Sequence, residues 1–220
     1  MLESSLYLTL NDGLYLLKST FLTLTLTLFS ITCGTILGFV LGMVRCSKNG
    51  IASAAPLVLI EPLRNSPLVT QLFLVYFGLP MISSIVLDAY TAAFMTLTLN
   101  TSAFMAVLVH SSVKSVPRAQ WEAAYALGHG KVSTFVYVIN RQALRVLIPP
   151  AITLFIGQLQ VSSVVSLIGF TDLTRVGEIL TLRTMKPFLV WGIVFGIYFV
   201  ISFPLSKLSR YLEKRIDFAF

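Results

Sequence analysis

Charged side chains are scarce in this sequence. Asp, Glu, Lys and Arg make up 11% of its 220 residues, whereas hydrophobic residues make up 56%. Soluble domains carry about 25% charged residues, so this composition excludes a fold whose whole surface faces water. We therefore predict an all-α, polytopic integral membrane protein, because a helix satisfies its own backbone hydrogen bonds inside a bilayer. The net charge of +7 indicates membrane topology and no nucleic-acid partner, since the basic residues cluster between the apolar runs.

Cysteine and histidine are also sparse, with two of each. Cys33 and Cys46 lack a paired spacing, which argues against both a disulfide framework and a metal site. The predicted loops contain no Ser/His/Asp cluster and no paired carboxylates, so we expect neither an enzyme nor a cofactor. The segment Gly128–Ser133 does not fit a phosphate-binding loop, because Tyr125 and Val132 stand where that motif requires Gly and Ser or Thr. No phosphate-binding loop for a nucleotide is therefore expected in this segment.

Five uncharged runs are long enough to cross a bilayer, which takes about 20 residues of helix. They are Ser19–Val44, Asn65–Leu87, Ala89–Val113, Val146–Thr171 and Pro187–Ser206. The alternation of Leu and Thr over Leu22–Leu28 has the period of a strand, but it lies inside a long uncharged run without a turn, which favours a helix. No Lys or Arg precedes Lys18, so no cleavable signal is expected and the first run is predicted to be an anchor.

The basic residues are divided unevenly between the two sets of predicted loops. Twelve Lys and Arg residues lie on one side of the bilayer and four on the other. Cytoplasmic loops carry the excess of basic residues, so we predict an external N-terminus and a cytoplasmic C-terminus.

Proline and glycine mark local departures from plain spans. Ile51–Arg64 is interrupted by charge and proline, and we predict a short interfacial segment that feeds the second span. Pro80 predicts a kink or an early stop near the outer end of that span. Three glycines at four-residue spacing in the first span predict a flat face for close helix packing, although they could also be tolerated on a lipid-facing helix. These are Gly34, Gly38 and Gly42.

The longest cytoplasmic connection, residues 114–145, carries helix signals. Pro117 suits the first turn of a helix, the residues that follow are good or acceptable helix formers, and Gly128 suits a left-handed end. The pattern predicts a helix of about three turns outside the membrane, joined at both ends to spans. Such a helix can act as a lever for a soluble partner, or it can be a purely structural loop helix.

The sequence of this predicted helix resembles a known motif. Trp121–Gly128 reads Trp-Glu-Ala-Ala-Tyr-Ala-Leu-Gly and resembles the EAA loop of binding-protein-dependent ABC transporter permeases. Glu122, Ala123, Ala124 and Gly128 match that motif position for position, and the loop precedes the penultimate span as it does in the family. The resemblance implies that this loop docks on the ATP-binding subunit and couples it to transport.

Other segments are similar to the polar amino-acid branch of that family, which includes the His, Glu, Gln, Arg and opine permeases. The similar segments are Arg64–Leu68, Gln71–Phe73, Tyr76–Pro80, Val116–Gln120 with Gln120 itself matching, Gln142–Arg145 and Ser162–Val164. The resemblance extends over residues 19–215 and implies the ABC type I importer permease fold, with residues 1–220 as one transmembrane domain. The departures from the branch are Val107, His110, Ala119, Asn140–Arg141, Gln160 and Val161. These departures leave the residues that match the ATPase-docking motif largely intact, but they alter the part of the family pattern that belongs to the substrate pathway.

The same resemblance implies the partners. They are an ABC ATPase subunit that hydrolyses ATP, a second permease subunit in a homodimer or heterodimer, an extracytoplasmic solute-binding protein and membrane lipid. The implied substrate is a polar or basic amino acid, and the implied location is the bacterial inner membrane.

Polar residues within the predicted spans are candidates for the substrate pathway, because polar groups in lipid usually face protein or water. They are Asn100, Ser102, Gln158, Gln160, Ser162 and Ser163. Gln158 and Gln160 do not share one helix face, so we expect at most one of them to reach the pathway. Hydrogen bonding between helices is the alternative for each residue, and His110 is expected to be a polar anchor.

Two other function classes remain open from the sequence. An ion-driven secondary transporter usually needs ionisable groups within its spans, and His110 is the one such group in the five runs. A membrane partner protein that transports nothing is the second alternative, since the departures fall in the pathway.

Overall fold

The computed structural model describes residues 7–217, and the regular structure in that range is helical. Four of its helices are long and apolar enough to cross a membrane, and a bent pair of shorter helical segments forms a fifth candidate span. The predicted all-α polytopic architecture with about five spans is therefore confirmed.

The first helix, α1, extends over Leu10–Arg45 and begins before the predicted run at Ser19. Asp12 lies in its first turn and accepts hydrogen bonds from the backbone N–H and the hydroxyl of Thr9, so this charge caps the helix instead of ending it. The Leu/Thr alternation is helical, as predicted. The Thr23 and Thr25 hydroxyls donate to carbonyls three or four residues earlier, which satisfies them within the helix.

The predicted interfacial segment consists of two short helices, α2 over Gly50–Ala54 and α3 over Leu57–Arg64. The side chain of Asn49 caps α2 by accepting from the Ile51 N–H. The segment predicted as the second span follows as the other half of the bent pair, with α4 over Leu68–Phe73, a π-helical turn over Leu74–Gly78 and α5 over Leu79–Ile82. Its end at Ile82 agrees with the early stop predicted near Pro80.

The third span, α6, extends over Ala89–Lys114 and is followed by the short helix α7 over Arg118–Ala126. Helical structure then continues from Lys131 to Ile168 as α8 (Lys131–Ser133), a π-helical segment (Thr134–Ile139), α9 (Asn140–Val161) and a 3-10 segment (Ser162–Ile168). This helix begins well before the run predicted from Val146, because the cations at 131–145 interrupt the hydropathy pattern without interrupting helix formation.

The last two helices are α10 over Leu173–Thr184 and α11 over Pro187–Asp217. None of the five uncharged runs covers α10, so the hydropathy pattern predicts no span there. Asp172 caps α10 by accepting from the Arg175 N–H, and Met185 ends it in a left-handed conformation. The apolar face of α10 packs against the start of α11 through Val176, Leu180 and Val190.

The described residues form two compact units, and α1, α6, α9 and α11 each supply residues to both. Unit 1 contains the described residues up to Thr32, with Ser66–Thr98 and Ile156–Pro204. Its clusters are built on Leu26, Leu72, Leu97 and Val165, and on the α10 face with Leu16. Unit 2 contains Cys33–Asn65, Leu99–Phe155 and the described residues from Leu205 onward. Its clusters include Met105 with Val109 and Leu147, Ile60 with Ala103 and Ala106, and Val116 with Ile139 and Ala143.

Candidate functional site

Helix α7 occupies the position predicted for the loop helix. Pro117 is the residue immediately before its first turn, and Gly128 adopts a φ of +83° just after its end. The N–H of Leu127 donates to Ala123 (3.1 Å) and that of Gly128 to Tyr125 (3.0 Å), which satisfies the last carbonyls of the helix. A residue other than glycine would be strained at position 128. Proline and glycine therefore define this helix in the way the sequence suggested.

One side of α7 is exposed and the other is packed. Gln120, Glu122 and Ala123 are exposed, whereas Ala124 is buried. Within residues 7–217, Glu122 forms no ion pair. Three of the predicted motif residues therefore present a carboxylate, an amide and a methyl group to solvent, and Ala124 provides a small packed surface beneath them.

Aromatic and amide contacts connect α7 to the beginning of the fourth span. The ring of Trp121 lies 6.5 Å from that of Phe135, centroid to centroid, and both pack against the cluster of Val116 and Ile139. The Gln142 side-chain amide donates to the Gln120 side-chain oxygen at 3.1 Å. Helix α7 therefore rests on the π-helical segment and α9, in addition to its connection to α6 through residues 115–117. The sequence analysis missed the part played by Trp121, although an aromatic residue beside a run of alanines is a signal for such an anchor.

Gly34, Gly38 and Gly42 of α1 are buried, as a packing role requires. A Cβ atom at Gly38 would lie 2.6 Å from the Ser102 carbonyl oxygen and 2.7 Å from the Met105 Cβ. A Cβ atom at Gly42 would lie 2.6 Å from the Ala106 carbonyl oxygen. Within unit 2, α1 therefore approaches the backbone of α6 too closely for any side chain at these two positions.

The hydroxyls among the candidate pathway residues are bonded within their own helices. Ser102, Ser162 and Ser163 each donate to the carbonyl three residues earlier, at 2.7–2.8 Å. Ser102 and Ser162 are also fully buried. These hydroxyls are therefore bonded to the backbone of their own helices, irrespective of which side of each helix faces the pathway.

The two glutamines of the candidate pathway differ. Gln158 is buried and donates from its side-chain amide to the Leu97 carbonyl on α6 at 3.1 Å, which is a bond between helices. The neighbouring Gln160 is exposed. Asn100 is buried and belongs to unit 2 with Ser102, whereas the other four candidates belong to unit 1.

Unit 1 contains two charged groups whose partners the sequence did not reveal. Asp12 at the start of α1 pairs with Arg183 near the end of α10, at 2.6 Å. Asp172 is fully buried, and this burial raises its pKa to about 6, against the backbone N–H groups of α10 that lower it. The Asp-Leu-Thr-Arg start of α10 is a helix-cap signal, but the 171-residue separation of Asp12 and Arg183 gives no local signal.

The sequence matches a known family and several of its characterised members. The family described as "Binding-protein-dependent transport system inner membrane component" matches residues 34–218. The glutamine transport system permease protein GlnP of Escherichia coli (strain K12) is 32% identical over 202 residues, which cover 91% of this chain and 92% of that protein. The L-cystine transport system permease protein TcyB of Bacillus subtilis (strain 168) is 31% identical over 218 residues, which cover 99% of this chain and 90% of that protein.

Solved structures give a consistent result. A crystal structure of an amino acid ABC transporter with histidines has a TM-score of 0.85 and 32% identity, covering 92% of this chain and 94% of that chain. The MetNI methionine ABC transporter in an inward-facing conformation has a TM-score of 0.73 and 21% identity, covering 93% and 99%, a likeness that shows the fold alone. The predicted importer permease fold is confirmed by these two likenesses.

Proposed function

The chain belongs to the family of binding-protein-dependent transport system inner membrane components, and from this premise we propose that it moves a polar or basic amino acid inward at the expense of ATP hydrolysed by a partner. It is a multi-pass inner-membrane permease subunit of an ATP-binding-cassette importer. The amino-acid substrate is supported by the similarity to glutamine and L-cystine permeases. The partners in this proposal are two ATPase subunits, a second permease subunit and an extracytoplasmic solute-binding protein.

The observation that carries the coupling mechanism is the exposed carboxylate of Glu122 on a helix that is packed on its other side. An ATPase subunit that binds the exposed side of α7 acts on a short helix packed against α9 and joined closely to α6. Because packed helices shift as rigid elements, nucleotide-driven movement of the ATPase is transmitted to both spans. Pro117 and Gly128 define the ends of α7, and the methyl side chains of Ala123 and Ala124 keep bulky groups off the helix.

Replacement of Glu122 by Lys tests this mechanism. The purified complex with Glu122→Lys should lose most of its substrate-stimulated ATPase activity, because a cation replaces the carboxylate that meets the ATPase, while membrane insertion is retained. Glu213→Lys is the matched control, since Glu213 is an exposed carboxylate in the same unit but on α11. Full substrate-stimulated activity in Glu122→Lys would show that α7 does not couple the subunits.

Uptake that follows an ion gradient without ATP would favour the secondary-transporter alternative.

Within the candidate pathway, the exposed amide of Gln160 is the group best placed to contact substrate, whereas Gln158 is committed to Leu97. Gln160→Ala should therefore raise the substrate concentration needed for half-maximal uptake, by about tenfold for the loss of one hydrogen bond of about 1.4 kcal/mol. Gln158→Ala should instead lower thermal stability, because it removes a buried hydrogen bond between two helices and leaves a space where the side chain packed. Radiolabelled uptake and thermal unfolding measured on both variants distinguish these effects, and unchanged uptake by Gln160→Ala would remove it from the pathway.

A further inference from the structure

A cavity of about 740 Å³ lies beside α7 in unit 2. Its wall is formed by the C-terminal end of α1 with the segment that follows it, the C-terminal end of α6, one face of α7 and Phe135. All of these elements belong to the same compact unit. The cavity shares Glu122 with the predicted ATPase-docking side of α7, whereas neither Gln120 nor Ala123 lines it.

The cavity is strongly cationic. Four basic side chains converge on it from three parts of the chain, and they are Arg45, Lys48, Lys114 and Arg118. Glu122 is the one carboxylate in the wall. Among the described residues, none of the four cations forms an ion pair, and the Nε of Arg45 is buried without a hydrogen-bond partner. Such a buried guanidinium nitrogen costs free energy unless an acceptor reaches it.

Apolar and aromatic side chains form the rest of the wall. Met43 and Val113 come from the ends of two spans, and Trp121 and Tyr125 come from α7. A wall that combines a cationic cluster with apolar and aromatic groups at the membrane–water interface suits a ligand with an anionic head and a hydrocarbon part. Membrane topology alone explains an excess of basic residues on the cytoplasmic side, but it does not explain their convergence on one cavity or the unpaired Nε of Arg45.

We propose that this cavity binds a phosphate-bearing anion, with the phosphodiester headgroup of an anionic lipid in the inner leaflet as the favoured source. Guanidinium groups bind phosphate oxygens through charge-assisted hydrogen bonds, and ammonium groups add point charges around them. The headgroup contacts the four cations, and the part of the lipid's acyl chains nearest the headgroup contacts Met43, Val113 and Trp121. This assignment does not rest on the coupling mechanism, because occupancy is measured as binding.

Trp121 supplies a direct reporter, since the sequence contains two tryptophans and the other is Trp191 in unit 1. The full-length Trp191→Phe chain is placed in phosphatidylcholine nanodiscs that contain a small fraction of brominated phosphatidylglycerol or, separately, brominated phosphatidylcholine. Bromine on the acyl chains quenches a nearby indole. Brominated phosphatidylglycerol should quench Trp121 at roughly tenfold lower mole fraction than brominated phosphatidylcholine, because several cations attract the anionic headgroup.

Charge removal at the cavity is compared with charge removal elsewhere. Arg45→Gln with Lys114→Gln should abolish most of the tenfold preference, and Lys48→Gln with Arg118→Gln provides a second pair in case the first does not fold. Lys131→Gln with Arg141→Gln is the matched control, since both residues are exposed cations of unit 2 that do not line the cavity. Equal loss of preference in the control pair would overturn the proposal, because it would indicate a general surface potential.

A free anion is distinguished from a lipid by adding inorganic phosphate to plain phosphatidylcholine nanodiscs. A saturable change in Trp121 fluorescence at millimolar phosphate, lost in the cavity pair, would support the site with free phosphate as its ligand. Preferential quenching by brominated phosphatidylglycerol would support it with lipid as the ligand. If neither lipid preference nor a phosphate response is observed, the cavity is not a phosphate site.

Discussion

Single residues determine how closely the helices of unit 2 approach one another. Gly42 of α1 leaves no space for a side chain, since a Cβ atom there would lie 2.6 Å from the Ala106 carbonyl oxygen and 2.7 Å from the Val109 Cβ. Backbone atoms cannot move aside as a flexible side chain can, so the contact must be relieved by separating α1 from α6. At this position, the absence of a side chain is itself the structural requirement.

Gly42→Ala should consequently destabilise the protein. Alanine gains about 0.5–1 kcal/mol over glycine inside a helix, but forced overpacking costs about 1–3 kcal/mol, so the net effect should be a loss of stability. Thermal unfolding in detergent measures it. Gly192→Ala on α11 is the control, because no atom lies within 4 Å of its added Cβ atom, and it should be neutral or slightly stabilising. Equal stability of the two variants would contradict the close packing of α1 on α6.

Interactions between residues that are close in sequence could be predicted, whereas interactions between residues that are far apart in sequence could not. The four-residue spacing of the glycines indicated close packing, but the partner helix could not be identified, because no pattern in α1 encodes the position of Ala106. The same limit applies to Gln158, whose partner is a carbonyl on another helix, and to the Asp12–Arg183 pair. Tertiary pairing depends on which helices become neighbours, and no local pattern in a single sequence contains that information.

Helix α7 has one exposed side and one side that packs against neighbouring helical segments. Trp121 is only partly exposed and contacts the cluster of Val116, Phe135 and Ile139, so its ring holds α7 against the base of α9. A lever transmits movement only if it does not rotate on its support. The predicted coupling role of α7 therefore depends on this partly buried ring as much as on the exposed Glu122.

Trp121→Ala should separate ATP hydrolysis from transport. Loss of the ring removes roughly 100–200 Å² of apolar contact area, so α7 should bind the ATPase but move without shifting α9. We expect a several-fold drop in substrate molecules imported per ATP hydrolysed, measured in proteoliposomes. Trp121→Phe should restore most of the ratio, because it keeps an aromatic ring on the cluster. An unchanged ratio in Trp121→Ala would mean that the contact with Phe135 has no part in coupling.

Element boundaries were predictable where charge and helix propensity agree. The second span ends at Ile82, two residues after Pro80, and the limits of α7 follow from Pro117, which suits a helix start, and Gly128, which suits a left-handed helix end. Helix α10 was missed because the search for uncharged runs ignores amphipathic helices, although Leu173, Val176 and Leu180 have helical spacing. The start of the fourth span at Lys131 could not be predicted for a related reason, because cations end hydrophobic runs without ending helices.

Coupling through α7 requires a definite orientation of the protein in the membrane. The basic residues place α7 and the cationic cavity on the cytoplasmic side, and they place α10 on the outer side. A single permease domain remains a prediction, since the described residues form two compact units that share four long helices. An ATPase in the cytoplasm can bind Glu122 only if this orientation is correct.

Side-directed thiol labelling tests the orientation of α7 and its contact with the ATPase together. The background chain carries Cys33→Ala and Cys46→Ala, which removes both native cysteines. Ala123→Cys then places a thiol on the exposed side of α7, and Leu182→Cys places the control thiol on α10, where the side chain is 77% exposed. A membrane-impermeant maleimide is added to right-side-out and to inverted membrane vesicles, with and without the ATPase subunit.

The account predicts that Ala123→Cys reacts only in inverted vesicles and that bound ATPase protects it, while Leu182→Cys reacts only in right-side-out vesicles. Reaction of Ala123→Cys from the outer side would contradict the central claim, because no ATPase in the cytoplasm could then bind this helix.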